Sequence, residues 1–96
     1  MPLVAEPDPL EELRRAIDDV DSRLLALIAE RVRLVLEVGE YKRKRRIGVY
    51  DPERERKLLE RLSAEAEPPL EPGTVRRIFE RVIDESRRLE QRHVSE

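Results

Sequence analysis

The apolar positions of this 96-residue chain follow three helical patterns, which are separated by segments rich in proline or glycine. In the first pattern they recur every three or four residues, at Leu10, Leu13, Ile17, Val20, Leu24 and Leu27, and after one step of seven at Leu34, Val38 and Tyr41. Asp8 and Pro9 supply a helix-start signature, so the pattern predicts one long amphipathic helix ending near Lys44. At ~1.5 Å per residue this helix is roughly 50 Å long, so a domain of this size cannot bury its whole apolar stripe. A partner chain is therefore expected.

Two shorter helices are predicted after it. Asp51-Pro52 repeats the start signature, and the second helix is expected to cover Pro52 to about Ala66, with Leu58, Leu59 and Leu62 inward. The third is expected from Gly73 or Thr74 to about Arg92, with an inward stripe at Val75, Ile78, Phe79, Val82, Ile83 and Leu89. The predicted fold class is therefore all-α, with one very long, one short and one medium helix. We expect residues 1–9 to form a flexible arm, 10–92 the helical domain and 93–96 a tail.

Composition narrows the possible functions. Charged residues make up 44% of the chain and cysteine is absent, which excludes disulfides and thiolate metal sites. His93 has no companion at metal-ligand spacing, so a metal site is not expected. The net charge of −2 argues against a general nucleic-acid binder, despite the basic run 42–46. Without an apolar run of membrane-spanning length or a signal peptide, we expect a cytoplasmic protein with no membrane partner.

Polar residues interrupt the apolar stripes of all three predicted helices, at Arg31, Glu55, Ser86 and Glu90. Lys42 lies eleven residues after Arg31 and faces nearly the same side of the first helix. Arg54 lies in the first turn of the second helix, where the helix dipole also favours anions. Any one of these residues could lie at the edge of a buried face with its charge in water. Together, they predict an interior pocket for a small polyanion.

Each of the three predicted helices carries a recognisable motif. Leu13-Arg14, residues 25–31 and residues 37–42 lie on the first, and they are similar to the first helix of the all-helical chorismate mutase family. Residues 51–56 look like its second-helix motif, and Ile78-Phe79 with residues 84–86 like its third helix. The resemblance spans about residues 10–91, with matching intervals on all three helices. It implies an intertwined homodimer with two active sites, which rearranges chorismate to prephenate without a metal or cofactor.

The resemblance also implies a set of site residues. The positions that match substrate contacts of the family are Arg31, Lys42, Asp51, Arg54, Glu55 and Ser86. Arg14 matches an arginine that the partner chain supplies. It lies seventeen residues from Arg31, and about 25 Å along the helix, so the two could not share a small ligand within one chain. The arginines would clamp the two carboxylates of chorismate, Glu55 with the Asp51 region would hold the ring hydroxyl, and Lys42 would donate to the ether oxygen.

One position departs from the commonest family pattern. The second donor to the ether oxygen, four residues after the serine, is often glutamine, whereas this chain has Glu90 there and Gln91 one residue later. A carboxylate cannot donate a hydrogen bond, but a protonated Glu90 can. Burial raises a carboxyl pKa and a neighbouring Lys42 lowers it. The hypothesis is that activity rises as the pH falls toward the pKa of Glu90.

Three alternatives remain open from the sequence. An isochorismate-pyruvate lyase of the same fold would also use a cationic helical pocket. A non-catalytic helical dimerisation module would explain the long helix, but it leaves the polar residues on the buried stripes without a purpose. The chain could also act in association with, or fused to, another shikimate-pathway enzyme.

Overall fold

The computed structural model describes Glu6 and residues 8–95, with side chains described as far as His93. It contains three helices, α1 (Pro9–Lys44), α2 (Pro52–Ala64) and α3 (Pro72–Ser95). The predicted all-α class and the order of helix lengths are confirmed. Most of the predicted arm, and residue 96 of the predicted tail, lie outside the described residues, whereas His93 is part of α3. Within the described residues, no helix combines the length and apolar character needed to cross a membrane.

The two start signatures seen in the sequence form helix caps. The Asp8 carboxylate accepts a hydrogen bond from the backbone N–H of Leu10 at 3.0 Å, which satisfies one of the unpaired donors at the start of α1. The Asp51 carboxylate accepts from the backbone N–H of Arg54 at 3.0 Å and does the same for α2. Both helices therefore begin where the sequence predicts.

The end of α1 is fixed by a backbone motif that needs a left-handed residue. Arg46 has a φ of 56°, and its N–H donates to the carbonyl of Arg43 at 3.1 Å. The N–H of Ile47 donates to the carbonyl of Lys42 at 2.9 Å, which completes a Schellman arrangement. These bonds close the last turn of α1 directly over Lys42, one of the predicted site residues.

The chain divides into two compact units, Met1–Arg31 and Val32–Glu96. The described part of the first unit is mainly the N-terminal portion of α1, where most large apolar side chains are exposed, from 49% at Val20 to 68% at Leu25. In the second unit, α2 packs on α3 around Leu58, Leu59 and Ile83, with Leu62 and Phe79 against them. Leu34, Val38 and Tyr41, on the last part of α1, are also about half exposed. A single chain thus leaves the apolar stripe of α1 open to water, in accord with the expected partner.

Candidate active site

The Val32–Glu96 unit brings α1 and α3 into contact at Gly39 and Glu90. Gly39 is buried, and only 7% of Glu90 is exposed. A Cβ atom on residue 39 would lie 3.1 Å from Cγ of Glu90 and 3.3 Å from its Oε2. Glycine is unfavourable inside a helix, and here its lack of a side chain allows α3 to pack closely against α1. A side chain at position 39 would therefore press against the side chain of Glu90, which would have to move by a few tenths of an ångström to admit it.

The surroundings of Glu90 favour its protonated form. Burial raises the pKa of Glu90 above the 4.5 of an ordinary glutamate, and this effect outweighs the lowering by the positive charges of Lys42 and Arg87. Both opposing influences expected from the sequence are present, and burial is the larger. A raised pKa extends the range in which Glu90 can donate a hydrogen bond to higher pH.

Ser86 lies one turn before Glu90 on α3 and is 3% exposed. Its hydroxyl donates to the backbone carbonyl of Val82 at 2.7 Å, a bond that serine often makes to the preceding turn of a helix. The hydroxyl is thus oriented by α3 itself. Donation to a ligand would require the hydroxyl group to rotate away from this carbonyl.

Glu55 on α2 is joined to α3 by an ion pair that the sequence did not reveal. Its Oε1 accepts a hydrogen bond from Nη2 of Arg87, and the side chains are 28% and 34% exposed. Nη1 of Arg87 lies 3.7 Å from Asp84 Oδ1, and its Cζ lies 5.1 Å from the ring centre of Tyr50. The hydrogen bond to Glu55 is the main cause that raises the pKa of Arg87. Arg87 therefore belongs to the same cluster as two predicted site residues, Glu55 and Glu90.

Sequence reasoning missed Arg87 because it lies beside the apolar stripe of α3, not on it. A signal was nevertheless present, since Arg87 directly follows Ser86 and precedes Glu90 by three residues. Residues three apart on a helix are neighbours on its surface. A cation between two polar positions of a buried stripe could therefore have been included among the candidates.

Asp51 and Arg54 are exposed at the start of α2. Because the Asp51 carboxylate holds the backbone N–H of Arg54, its observed role is to fix the first turn of α2. That turn sets the direction in which the side chains of Arg54 and Glu55 leave the helix. Asp51 therefore acts on the site through the backbone in this structure.

Arg14 and Arg31 belong to the Met1–Arg31 unit. Arg14 is exposed, with Nη1 3.9 Å from Oε1 of Glu11, and Arg31 is half-buried. The Val32–Glu96 unit holds the other predicted site residues, and within it Arg87 connects Glu55 to the surroundings of Glu90 and Lys42. Among the described residues, no three histidine or acidic side chains are grouped so that they could hold a metal ion.

Comparison with known proteins decides the family. Residues 13–91 match the family model described as chorismate mutase type II. The chain belongs to the chorismate mutase type II family. The resemblance seen in the motifs of the three helices is thereby confirmed.

Relatives that resemble this chain differ in length. The chorismate mutase of Methanocaldococcus jannaschii is 32% identical over 90 residues, which are 93% of this chain and 91% of that protein. The bifunctional chorismate mutase/prephenate dehydratase of Escherichia coli K12 is 41% identical over 80 residues, which are 82% of this chain but 21% of that protein. The chain thus spans about a fifth of the length of the long relatives that it matches.

A solved chorismate mutase has the same fold. The Form II structure of the chorismate mutase from Thermus thermophilus superposes with a TM-score of 0.85 at 35% identity. The match covers 88% of this chain and 97% of that one. The three-helix arrangement is therefore that of a chorismate mutase along nearly all of the compared chain.

Proposed function

We propose that this protein rearranges chorismate to prephenate, a step toward phenylalanine and tyrosine, and that residues 10–92 form the catalytic domain. The observation that carries the proposal, beyond membership of the family, is the buried Glu90 near the positive charges of Lys42 and Arg87. Burial of a carboxyl group beside cations costs stability in a purely structural unit, whereas an active site needs such groups.

The reaction is an intramolecular Claisen rearrangement, in which a carbon–oxygen bond breaks as a carbon–carbon bond forms. It requires no nucleophile, so the protein accelerates it by holding the substrate in its reactive conformer and by stabilising charge on the ether oxygen. In our proposal, Lys42 donates a hydrogen bond to that oxygen as its bond to carbon lengthens. Protonated Glu90 is the second donor, a role supported by its raised pKa.

The remaining site residues bind the rest of the substrate. Arg31, Arg54 and the partner's Arg14 clamp the two carboxylates, for which the planar guanidinium is well suited. Ser86 assists them, and the Glu55 carboxylate accepts a hydrogen bond from the ring hydroxyl. Asp51 supports Glu55 through the first turn of α2, where its carboxylate holds the backbone N–H of Arg54.

We propose that the working form is a homodimer in which a second copy covers the apolar stripe of α1. Leu13, Leu24 and Leu27 are 63%, 52% and 62% exposed in the single chain, and apolar surface of this kind is normally covered by a partner. A cytoplasmic location, and association with another enzyme of the shikimate pathway, belong to the same proposal. The E. coli relative, whose name joins the mutase to prephenate dehydratase, supports the second of these.

The decisive experiment supplies the purified protein with chorismate and, separately, with isochorismate. We expect prephenate from chorismate, and neither salicylate nor pyruvate from isochorismate. Arg31→Ala, checked for unchanged helix content by circular dichroism, is expected to lose most of the activity. Salicylate and pyruvate from isochorismate would make the protein a lyase, and a folded protein that leaves both compounds unchanged would favour the dimerisation module.

A further inference from the structure

The ion pair between Arg87 and Glu55 joins α3 to α2 within the Val32–Glu96 unit. Arg87 keeps its positive charge at all relevant pH values, and its guanidinium is held from two further sides, by Asp84 and by the ring of Tyr50. The contact uses Oε1 of Glu55. A carboxylate has lone pairs on both oxygens, so Oε2 can still accept a hydrogen bond from a ligand.

We propose that Arg87 is a positioning residue which, through Glu55, makes this site select a neutral hydroxyl over a charged amine on the substrate ring. The inference rests on the proposed function, in which Glu55 accepts from the ring hydroxyl of chorismate. An oriented carboxylate oxygen satisfies a hydroxyl donor. The negative charge of the same carboxylate is already balanced by the guanidinium, and little of it is left to bind a second cation.

An analogue of chorismate with an amino group in place of the ring hydroxyl carries a positive charge there at neutral pH. That charge would approach Glu55 in the presence of Arg87, and like charges at short distance repel. Removing the guanidinium of Arg87 should reverse this preference for the hydroxyl over the amine. The amine would then meet an unbalanced carboxylate, whereas the hydroxyl would lose an acceptor held in one orientation.

Arg87 also lowers the pKa of Glu90, so its removal affects the proposed donor to the ether oxygen. The other charged groups near this cluster are Lys42, which acts on Glu90, and Asp84, which acts on Arg87. Chorismate and its amino analogue have the same ether oxygen. Any effect that passes through Glu90 therefore changes both reactions alike and cancels in the ratio of their kcat/KM values.

The test measures kcat/KM for chorismate and for the amino analogue with the parent, Arg87→Met and Arg87→Lys. For Arg87→Met we expect a loss of about tenfold with chorismate, because the ring hydroxyl no longer has an acceptor held in one orientation. With the analogue we expect a gain of several-fold, because its charged amine can then pair with the unbalanced carboxylate of Glu55. Arg87→Lys keeps the charge and should retain the preference of the parent for chorismate. The matched control is Arg88→Met, since Arg88 is exposed and its Nη1 lies 3.3 Å from Glu85 on the same helix. Both kcat/KM values of the Arg88 variant should equal those of the parent.

A double-mutant comparison separates this role from a structural one. In a Glu55→Gln background, the Arg87→Met change should no longer alter the ratio between the two substrates. Equal losses on both substrates in folded Arg87→Met would overturn the proposal while leaving the mutase activity of the parent intact. If Arg87→Met fails to fold, Arg87→Gln replaces it under the same criterion. A parent that turns over neither compound overturns the proposed function, and this inference with it.

Discussion

The side chain of Glu90 on α3 lies so close to Gly39 on α1 that a Cβ atom on residue 39 would be only 3.1 Å from Cγ of Glu90. This separation is shorter than the usual contact between carbon atoms, about 3.5–4.0 Å. Gly39 therefore determines how closely Glu90 can approach α1. In an active site, such a contact fixes the position of the hydrogen-bond donor.

Gly39→Ala is expected to reduce kcat/KM for chorismate by about tenfold or more, because the added methyl group displaces the Glu90 carboxyl and misplaced donors are costly. Stability should change little, since alanine favours the helix by about 1 kcal/mol and offsets part of the crowding. The control is Gly48→Ala, because a Cβ there meets nothing within 4 Å. Steady-state kinetics and thermal unfolding check both variants, and a Gly39→Ala enzyme as active as the parent would contradict the placement of Glu90 in the site.

Glu90→Gln is expected to flatten the pH dependence of activity. In the parent, kcat/KM should fall as the pH rises through the pKa of Glu90, which burial raises above 4.5, because the ionised form cannot donate. Glutamine donates at every pH and should therefore remain active in neutral and alkaline solution. The pH profile of kcat/KM is the measurement, and Glu85→Gln on the same helix is the control. Coincident profiles for the parent and Glu90→Gln would show that Glu90 is not the donor.

The same residue links folding to pH. The pKa of Glu90 is higher in the folded chain than the 4.5 of an ordinary glutamate, so the folded state holds its proton more tightly than the unfolded state. The stabilisation that Glu90 contributes by holding its proton more tightly in the folded state is therefore complete below pH 4.5. It is lost as the pH rises through the folded-state pKa of Glu90. Glu90→Gln should remove that loss. Urea unfolding of both proteins at a series of pH values and one protein concentration tests this, and parallel curves would argue against it.

A charge placed on the exposed stripe of α1 should prevent dimer formation. We expect Leu24→Glu to sediment as a monomer, because a glutamate in a dimer interface would be buried without a partner charge. Leu24 is 52% exposed in the single chain, so the loss of contacts within the chain is limited. Ser22→Glu introduces the same side chain on the opposite face of α1 and should remain dimeric. Analytical ultracentrifugation distinguishes the two variants, and a dimeric Leu24→Glu would place the interface elsewhere.

Subunit exchange tests whether the two chains share each site. Arg14→Ala and Arg31→Ala should each be nearly inactive alone, since each variant lacks one carboxylate clamp at both sites. Random exchange makes half of the dimers mixed, and each mixed dimer has one complete site, so about a quarter of the parent activity should return. The chorismate assay follows this recovery over time. If mass spectrometry verifies that the subunits have exchanged and no activity returns, the two chains do not share each site.

The sequence was sufficient for features that depend on neighbouring residues. Asp8 and Asp51 cap α1 and α2 as the local signatures predict. The end of α2 was predicted two residues too late. It lies at Ala64, where the N–H of Glu65 already bonds back to Arg61 and Leu62.

The sequence was insufficient for contacts between helices. In a chain with 44% charged residues, Glu55 has many potential partners, and periodicity does not indicate that Arg87 is the one that it binds. That choice depends on how α2 and α3 pack around Leu59 and Ile83. The role that we propose for Arg14 is a similar case, because a residue that serves another chain would leave no mark in the pattern of its own helix.

If a second copy covers the exposed stripe of α1, as proposed, the stability of the folded protein depends on its own concentration. Association would add a stabilising free energy that grows with the logarithm of concentration, about 1.4 kcal per mole of dimer for each tenfold increase. Dilution would then lower the melting temperature without any change of solvent. For such a protein, the level of expression would help to determine both its lifetime and its catalytic capacity.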